Sequence, residues 1–523
     1  MPDRIESRIT RTDVTPEKVI GVVPSGATAK WRPLDLNSYS DASVSYDSQA
    51  RAVMTSGRRL KKGTQTDKTV QFGYNIDNTG DNVLAQICAF LYNTPVEHGV
   101  TRSILDGSVA VSLAPIAITA KAAGSITAAA TLLGKFVTDD IVILQDGVND
   151  RTPLRVTGAV TTALPVAPLN AGAALDVTTP LPNDARVIKV GKVFTGEELT
   201  LQGAADKVTL TATTTNWATL GLRVGEWVHV GGDNAFFAST EPFYARVASI
   251  NGLVLTFDST SRAISTVAVK ATGVEFFIGT YVFDGDTSIS FTHARYFGKD
   301  DNGKHIREFY VGCIPSEMAI NLEEKSFVTC DFTYNGMDGY TQLYDDAAHA
   351  AQFATNYPEY SGAAISTVTD IVRQRFVVNK AGEVNPAAIH GFIKNGTVNI
   401  NNNITMESAQ GVLGSIGGTA GDFTATGSVT AYFVNTAALE AIRCNCTVGM
   451  DLIAARGNAG FVLDIPEMTL GNGALTIEKG QSVTIDLEQA AFGSSKFNLT
   501  MSYTSFNYLP NKAMPAGKAG CNC

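Results

Sequence analysis

The stretch from Ser43 to Asp77 decides how the rest of this sequence is interpreted. It opens with one alternating run, Ser43-Val44-Ser45-Tyr46-Asp47, and closes with another, Thr69-Val70-Gln71-Phe72-Gly73-Tyr74-Asn75-Ile76. Side chains that alternate with a period of two lie on opposite faces of a strand. The stretch therefore predicts a pair of strands with one apolar face and one small, polar face.

A basic segment joins the two predicted strands. Its cationic side chains are Arg51, Arg58, Arg59, Lys61, Lys62 and Lys68. An arm of this length that runs out and back can reach about 30 Å from the body of a protein. Loops this long are uncommon inside compact domains and usually have a function.

Three interpretations of this arm stay open. It is a solvated loop, a loop that binds DNA, or an arm that contacts a neighbouring copy of the protein. We favour the third, because no aromatic side chains interleave with the charges as they do in proteins that bind single strands. The acidic residues that could receive the arm on a second subunit are Glu323, Glu324, Glu478, Asp486 and Glu488.

The composition is that of a globular β-protein of several domains. Its 523 residues are enough for about three or four domains, and 44% are hydrophobic while only 17% are charged. Low charge with abundant Thr, Ala, Val and Gly favours β-structure whose surface becomes buried in an assembly. The net charge of −10 argues against a general affinity for nucleic acid, because phosphates would be repelled.

Neither a secretory signal nor a membrane span is predicted. The first residues, Met1-Pro2-Asp3-Arg4-Ile5-Glu6, are polar and mixed in charge. The most apolar window, Val109 to Val137, is interrupted by Pro115, Lys121 and Gly124. Seven cysteines are an odd number and too few for a disulfide scaffold, so they fit a reducing cytoplasm.

A helix and then a change of texture follow the arm. Asn78-Thr79-Gly80-Asp81 is a helix-start signal with Thr79 or Asp81 as the N-cap, and the helix is predicted to run to about Tyr92. From residue 106 to 274 short strands rich in Thr, Ala and Val follow one another closely. This region contains two similar pieces, about 106–195 and 205–274, and each predicts a small β-barrel.

The strongest internal match lies between two segments of the second half. Ile314-Pro315-Ser316-Glu317-Met318 corresponds to Ile465-Pro466-Glu467-Met468, and Ile320–Asp331 corresponds to Leu475–Asp486. The order of strand, long loop, strand, helix and closing strands also recurs. We interpret the chain as one fold that occurs twice, with the first copy interrupted by an insertion.

This duplication predicts the limits of the domains. They are 1–105 and 275–345 for the two parts of the first copy, 106–274 for the insertion, 346–369 for a connector, 370–512 for the second copy and 513–523 for a C-terminal tail.

Motifs that could carry chemistry all have plainer interpretations. Asp345, Asp346 and His349 have the helical spacing of a metal site, but no further cluster supports them and a solvated helix face is favoured. Cys444 and Cys446 could bind zinc together with the C-terminal Cys521 and Cys523, or form disulfides, but the usual C-x-x-C spacing is missing and plain thiols are favoured.

Two loops resemble ligand-binding motifs only superficially. Gly414-Ser415-Ile416-Gly417-Gly418 lacks the Lys-Ser/Thr ending of a phosphate loop, and Asp146–Asp150 lacks the glutamate of a calcium loop. The six histidines are scattered, so no catalytic set can be argued from spacing. We expect no catalytic residues, no metal and no cofactor.

Several of these features together resemble a known family. Trp31-Arg32-Pro33-Leu34, the strand–arm–strand unit, the helix after it and the closing strand Phe327–Tyr334 are similar to the tail tube (major tail) protein of long-tailed bacteriophages. The element Gly221–Val228 is also similar to insertions in such proteins. Members of that family form a β-sandwich with a flanking helix, their sheets join around a ring, and their rings stack through a long loop that the Gln49–Lys68 arm resembles.

The resemblance implies a fold class and an assembly. The fold class is mainly β: two tandem tail-tube-like β-sandwich domains, each with a flanking helix, the first interrupted by an insertion of small β-barrels. Most members have one such domain and form hexameric rings, so three chains with two domains each would complete a pseudo-hexameric ring. The strand face that would line its channel contains Thr69, Gln71, Asn75, Asn399, Asn401, Thr424, Thr426 and Ser428.

The resemblance also implies partners and a location. The chain would bind copies of itself, the tape-measure protein, the tail terminator and the distal tail protein, while DNA passes through the lumen without specific binding and no membrane is involved. It would be part of the virion, assembled in the host cytoplasm. The alternatives are a distal tail, baseplate or receptor-contacting β-protein whose insertion recognises a ligand, and an enzyme.

Overall fold

Antiparallel strands make up most of the chain in the computed structural model. It describes residues 10–25, 31–50, 62–80, 82–94, 96–97, 100–101, 118–128, 132, 135–181, 185–234, 236–238, 240–353, 362–380 and 382–515. The predicted mainly β fold is thus confirmed.

The first part of the chain contains nineteen strands and one helix among the residues described. They are β1 (Arg11–Pro16), β2 (Arg32–Leu34), β3 (Ser38–Gln49), β4 (Thr64–Asp77), α1 (Leu84–Phe90), β5 (Val96–Glu97), β6 (Val100–Thr101), β7 (Ile118–Ala122), β8 (Ser125–Ala128), β9 (Asp140–Gln145), β10 (Leu154–Val156), β11 (Ala163–Pro168), β12 (Arg186–Val193), β13 (Glu198–Gly203), β14 (Val208–Ala212), β15 (Trp227–Val230), β16 (Phe243–Asn251), β17 (Val254–Thr260), β18 (Val269–Thr272) and β19 (Glu275–Ile278).

The remainder contains fourteen strands and two helices in the described ranges. They are β20 (Thr280–Phe283), β21 (Phe291–Lys299), β22 (His305–Leu322), β23 (Val328–Gly336), β24 (Asp338–Tyr344), α2 (Asp346–Phe353), β25 (Ile371–Val378), β26 (Ile393–Asn401), β27 (Thr405–Ser408), β28 (Ser415–Thr419), β29 (Thr424–Tyr432), α3 (Ala437–Arg443), β30 (Val448–Arg456), β31 (Ala459–Thr476), β32 (Thr484–Ala491) and β33 (Ser502–Phe506).

An eight-strand antiparallel run, which we call the central sheet, passes through both halves of the chain. Its order is β3-β4-β23-β22-β26-β29-β32-β31. The first four strands belong to the first copy of the fold and the last four to the second. The copies meet where residues 317–322 of β22 pair with residues 396–401 of β26.

The two copies use equivalent strands in the same order. In each copy a hairpin, β3–β4 or β26–β29, pairs with a closing strand and then with an 18-residue strand, β22 or β31. Both 18-residue strands contain the Ile-Pro pair that revealed the repeat, and helix α1 or α3 follows each hairpin. The sandwich domains, each with a flanking helix, agree with the predicted fold class.

A second layer covers the apolar face of the central sheet. It is built from the first halves of β22 and β31 with their partners β21, β24, β30 and β33. Phe72 of the central sheet stacks on His293 of β21, with ring centroids 4.4 Å apart. One continuous cluster of buried side chains fills the space between the layers in both copies.

The first helix begins later than the sequence predicts. Its N-cap is Val83, without a capping side chain, and it ends at Phe90 rather than near Tyr92. The side chain of Asn82 instead accepts a hydrogen bond from the Thr79 backbone N–H at 3.0 Å. The polar residues that predicted the helix start therefore stabilise the loop before the helix.

The insertion forms curled sheets around two separate cores rather than two closed barrels. Its strands share one 13-stranded ladder in which β12 pairs with β9 of the first piece and with β19 of the second. Because β12 pairs with strands of both pieces, neither piece closes into a barrel of its own. The structure thus corrects the prediction of two small β-barrels. Because β19 spans Glu275–Ile278, the ladder extends past residue 274.

The insertion is anchored on the second copy by a buried ion network. The Arg246 guanidinium of β16 lies 2.9 Å from Asp258 and 3.1 Å from Asp464 of β31. Around it, apolar side chains of the insertion pack against the second copy; they are Trp227 and Tyr244 against Ile453, Val462 and Phe506. These contacts fix the insertion on the outer face of the second layer.

Buried histidines make the fold sensitive to acid. His293 is fully buried between Phe72 and Tyr334, and burial lowers the pKa of its imidazole to about 3. The unfolded chain takes up a proton below about pH 6.5, whereas the folded chain resists until about pH 3. The contribution of a neutral, buried His293 to stability is therefore fully present above about pH 6.5 and is lost as the pH falls towards 3.

We expect His293→Phe to weaken this pH dependence, because phenylalanine keeps the ring stack and does not titrate. Between pH 6 and 4 the free energy of unfolding should fall by about 1.4 kcal/mol per pH unit less than in the original chain. Denaturant titrations at each pH measure this slope. An unchanged slope would show that His293 is already protonated in the fold.

Candidate functional site

The predicted channel-lining residues lie together on one face of the central sheet. Those on β4, β26 and β29 are exposed or partly exposed, whereas their strand neighbours Phe72, Ile400 and Val429 are buried. The register places Asn399 opposite Thr426 and Asn401 opposite Thr424. The structure therefore brings all eight of them to the face that points away from the core.

We call this surface the polar face. Along β4, β22, β23, β26, β29, β31 and β32 it includes Thr69, Gln71, Gly73, Asn75, Asp77, Glu317, Ala319, Asn321, Thr329, Asp331, Thr333, Asn335, Thr397, Asn399, Asn401, Thr424, Thr426, Ser428, Thr430, Thr469, Gly471, Thr484, Asp486, Glu488 and Ala490. None of these positions holds lysine or arginine, and five hold a carboxylate. The face is therefore acidic and repels polyanions.

Amide side chains hold these carboxylates in place. Asn75 and Asn321 donate hydrogen bonds to the two oxygens of Asp331 at 2.7 and 2.6 Å. Asn401 donates to Glu317 at 2.9 Å across the junction of the two copies. The carboxylates of Asp331 and Glu317 are thus held in place by amide donors.

The central sheet ends in two open edges among the residues described. At one end β3 pairs with β4 alone, and at the other the segment 469–476 of β31 pairs with β32 alone. Unpaired N–H and C=O groups along such an edge are a template for another strand.

The arm is a longer hairpin than the sequence predicts. β3 and β4 pair from Ser38 opposite Asn75 to Gln49 opposite Thr64, with register shifts between Tyr39 and Asp41 and between Asp47 and Ser48. The predicted stacking residues Arg51, Arg58, Arg59 and Lys61 lie outside the described residues. Lys62 is exposed, whereas the Lys68 ammonium forms an ion pair with Asp338 of β24. Lys68 therefore holds the base of the arm within its own chain.

A second hairpin leans on the base of the arm. The glycine-rich segment of the second copy forms the ribbon β27–β28, residues 405–419. Gly414 at its turn has a φ of +96°, and a Cβ there would lie 3.3 Å from the carbonyl oxygens of both Lys68 and Met337. The ribbon thus crosses from the second copy onto the first, at the end of the sheet that bears the arm.

The opposite end of the sheet carries exposed apolar side chains. We call it the far rim; it includes Phe327, Val368, Phe392, Tyr432, Val434, Leu475 and Ile477. Phe392 is 86% exposed and Ile477 is 74% exposed, which is unusual for side chains of this size. The carboxylates of Glu323, Glu324 and Glu478 lie in the same turns.

Two of the three residues with the spacing of a metal site, Asp346 and His349, belong to an ion network. Asp346 lies 2.6 Å from Lys299 and 2.8 Å from His305. His349 accepts hydrogen bonds from Arg307, and burial together with the positive charge of Arg307 lowers the pKa of its imidazole to about 4. No group of three or more His, Cys, Asp or Glu in the described part of the chain could hold a metal ion.

The described structure contains two of the four cysteines considered for a zinc site. Cys444 and Cys446, at the end of α3, are free thiols. Cys521 and Cys523 lie outside the residues described.

Two sandwich copies joined in one sheet, with an open edge at each end among the residues described, define a class of duplicated β-sandwich proteins. The family model of the phage tail tube protein matches residues 14–491, and the chain belongs to that family. No curated protein matches the chain. Membership gives the chain a structural role in the tail tube, as a virion component that assembles with copies of itself and with other tail proteins. Among the described residues, every helix is too short or too polar to cross a membrane.

We expect Gly414→Val to release the ribbon from the base of the arm. A left-handed backbone forced on a β-branched residue costs about 1–3 kcal/mol, so amide exchange in residues 405–419 should accelerate about tenfold. Hydrogen-exchange mass spectrometry measures the change. Gly417→Val is the matched control, because a Cβ at Gly417 meets nothing within 4 Å. Equal exchange in both variants would contradict the contact.

Proposed function

We propose that three chains close into a pseudo-hexameric ring, and that stacked rings form the tail tube through which phage DNA is ejected. The observation that carries this proposal is the pairing of β22 with β26 inside one chain. This pairing already joins two tube domains edge to edge. We expect the same contact between the second copy of one chain and the first copy of the next. Repetition of this contact closes a ring in which first and second copies alternate.

Rows of paired residues across the sheet give the register of that contact. In the first copy one row contains Ala319, Asp331, Asn75 and Ser38. In the second copy the matching row contains Thr469, Ala490, Thr426 and Asn399. Since Ala319 lies opposite Asn399 within the chain, Thr469 of one chain should lie opposite Ser38 of the next.

The polar face supports its role as the channel wall. The positions named on it hold carboxylates and amides and neither lysine nor arginine, so DNA can slide past them without being held. The insertion packs against the outer face of the second layer, on the side of the second-copy sandwich away from the polar face. With the polar face inward, the insertion decorates the outside of the tube and leaves the channel open.

The basic arm supports axial stacking. It extends at one end of the central sheet, and Glu323, Glu324 and Glu478 lie at the other end. In a stack of rings these two ends face each other, so the arm of one ring meets carboxylates of the next. Exposed ion pairs of this kind give orientation and reversibility more than affinity.

The remaining partners follow from the position of the rings in a tail. We propose that the tape-measure protein occupies the lumen during assembly in the host cytoplasm. The distal tail protein and the tail terminator bind the first and the last ring, whose open ends present the same surfaces that rings present to each other.

An engineered disulfide tests the lateral contact. Residues directly opposite each other in antiparallel strands have Cβ atoms about 4.5–5.5 Å apart, close enough for a disulfide after a small adjustment. We expect Ser38→Cys with Thr469→Cys to form disulfides between chains after mild oxidation of assembled protein. A non-reducing denaturing gel should show a ladder that ends at three chains.

The two single cysteine variants are the controls, because the chain already contains seven cysteines. Neither should give the ladder. Absence of a cross-link in the double variant would overturn the edge pairing, and a ladder that continues to six chains would overturn the trimeric ring.

Charge reversal tests the arm. We expect conversion of Arg58, Arg59, Lys61 and Lys62 to Glu to leave rings intact but to shorten tubes, because the arm would then repel the acidic end of the next ring. Tube lengths in negative-stain micrographs measure the effect, and in the unmodified protein raised salt should shorten tubes in the same direction. Lys207→Glu with Lys270→Glu on the insertion is the control. Unchanged tube lengths would show that the arm does not contribute to the stacking of rings.

A further inference from the structure

The ribbon of the second copy exposes apolar side chains beside the basic arm. Val412, Leu413 and Ile416 are 49%, 40% and 45% exposed. A turn that only contacts solvent would accept polar side chains at these positions equally well. The strand pairing of β27 with β28 gives the ribbon a defined shape. The contact of Gly414 with Lys68 and Met337 fixes its position at the arm end of the sheet.

The far rim offers an apolar surface at the other end of the same sheet. Phe392 and Val434 are 86% and 61% exposed, and they are neighbours because Tyr432 and Phe392 are joined by a backbone hydrogen bond of 2.9 Å. Glycine at position 391 permits this close approach, because a Cβ there would lie 2.8 Å from the Val434 side chain. The second copy thus has an exposed apolar group at each end of its part of the sheet.

We propose that the ribbon tip of one chain docks on the Phe392–Val434 surface of a chain in the adjacent ring. This inference rests on the proposed stacking of rings and names a second axial contact in addition to the basic arm. The occupant is a second copy of this chain, because repeated head-to-tail stacking brings the two opposite ends of every subunit together. Both ends carry exposed apolar side chains, Val412, Leu413 and Ile416 at the arm end and Phe392 and Val434 at the far rim.

The two axial contacts differ in their response to salt. Ion pairs between the arm and the far rim are screened when salt is added, whereas burial of apolar side chains is not. Stacks should therefore shorten at high salt without dissolving completely into rings. Each stacked chain forms one contact of each kind, so the basic arm orients the incoming ring and the ribbon holds it.

A charge-swap experiment tests the docking. We expect Leu413→Asp and Phe392→Lys, each made alone, to leave cross-linked three-chain rings intact but to reduce stacked rings about tenfold or more, because each buries a charge in an apolar contact. The combined variant places the new aspartate opposite the new lysine of the next ring and should recover much of the stacking. Val267→Asp, on a side chain of the insertion that is 71% exposed, is the control.

Each result of this experiment has a distinct meaning. Normal tube lengths in both single variants would overturn the docking while leaving the ring proposal untouched. Loss in both without recovery in the combined variant would overturn the pairing of these two surfaces. Failure of the unmodified protein to form three-chain rings would overturn the proposed function itself. The thermal unfolding temperature of each variant, unchanged for surface substitutions, shows that the fold is retained.

Discussion

One set of backbone hydrogen bonds joins the two copies, and the rest of the architecture depends on it. Residues 317–322 of β22 pair with residues 396–401 of β26. Without this pairing each copy would expose two strand edges, which proteins cover because such edges bind other chains. With it, the central sheet keeps only the edge of β3 and that of β31 open among the residues described. An interaction within the chain thus determines which surfaces remain for interactions between chains.

The chemistry of the polar face follows from the same pairing. Strand side chains alternate, so a continuous register across the junction keeps every polar position on one side of all eight strands. A slip of one residue would bury Asn399 and expose Ile400. The core prevents that slip, because Met318, Ile400 and Val429 are all buried in the shared apolar cluster. The acidic polar face is therefore a property of the whole sheet and not of any single strand.

Periodicity and repetition were the parts of this structure that the sequence could predict. The alternation in β4 gave the correct buried face, and the repeated Ile-Pro pair located the equivalent strands β22 and β31. Contacts distant in sequence could not be predicted in the same way. Nothing near Arg246 indicates that its guanidinium pairs with Asp464, and nothing near Lys68 indicates Asp338, because each partner is brought in by the fold more than two hundred residues away. The ribbon is not predictable from sequence for a different reason: its glycines allow many backbone conformations, and contact with the base of the arm selects one of them.

Duplication within one gene allows the two copies to diverge where identical subunits could not. In a ring of six identical chains every hairpin at the arm end has the same chemistry. Here the hairpin of the first copy is long and basic, whereas that of the second copy is short, apolar at its tip and pressed onto its neighbour. Long-range electrostatic attraction orients approaching surfaces, and short-range apolar contact stabilises them once they meet. In the ring that we propose, the β22–β26 junction alternates the two copies and would therefore alternate these two kinds of contact, so that each could change without weakening the other.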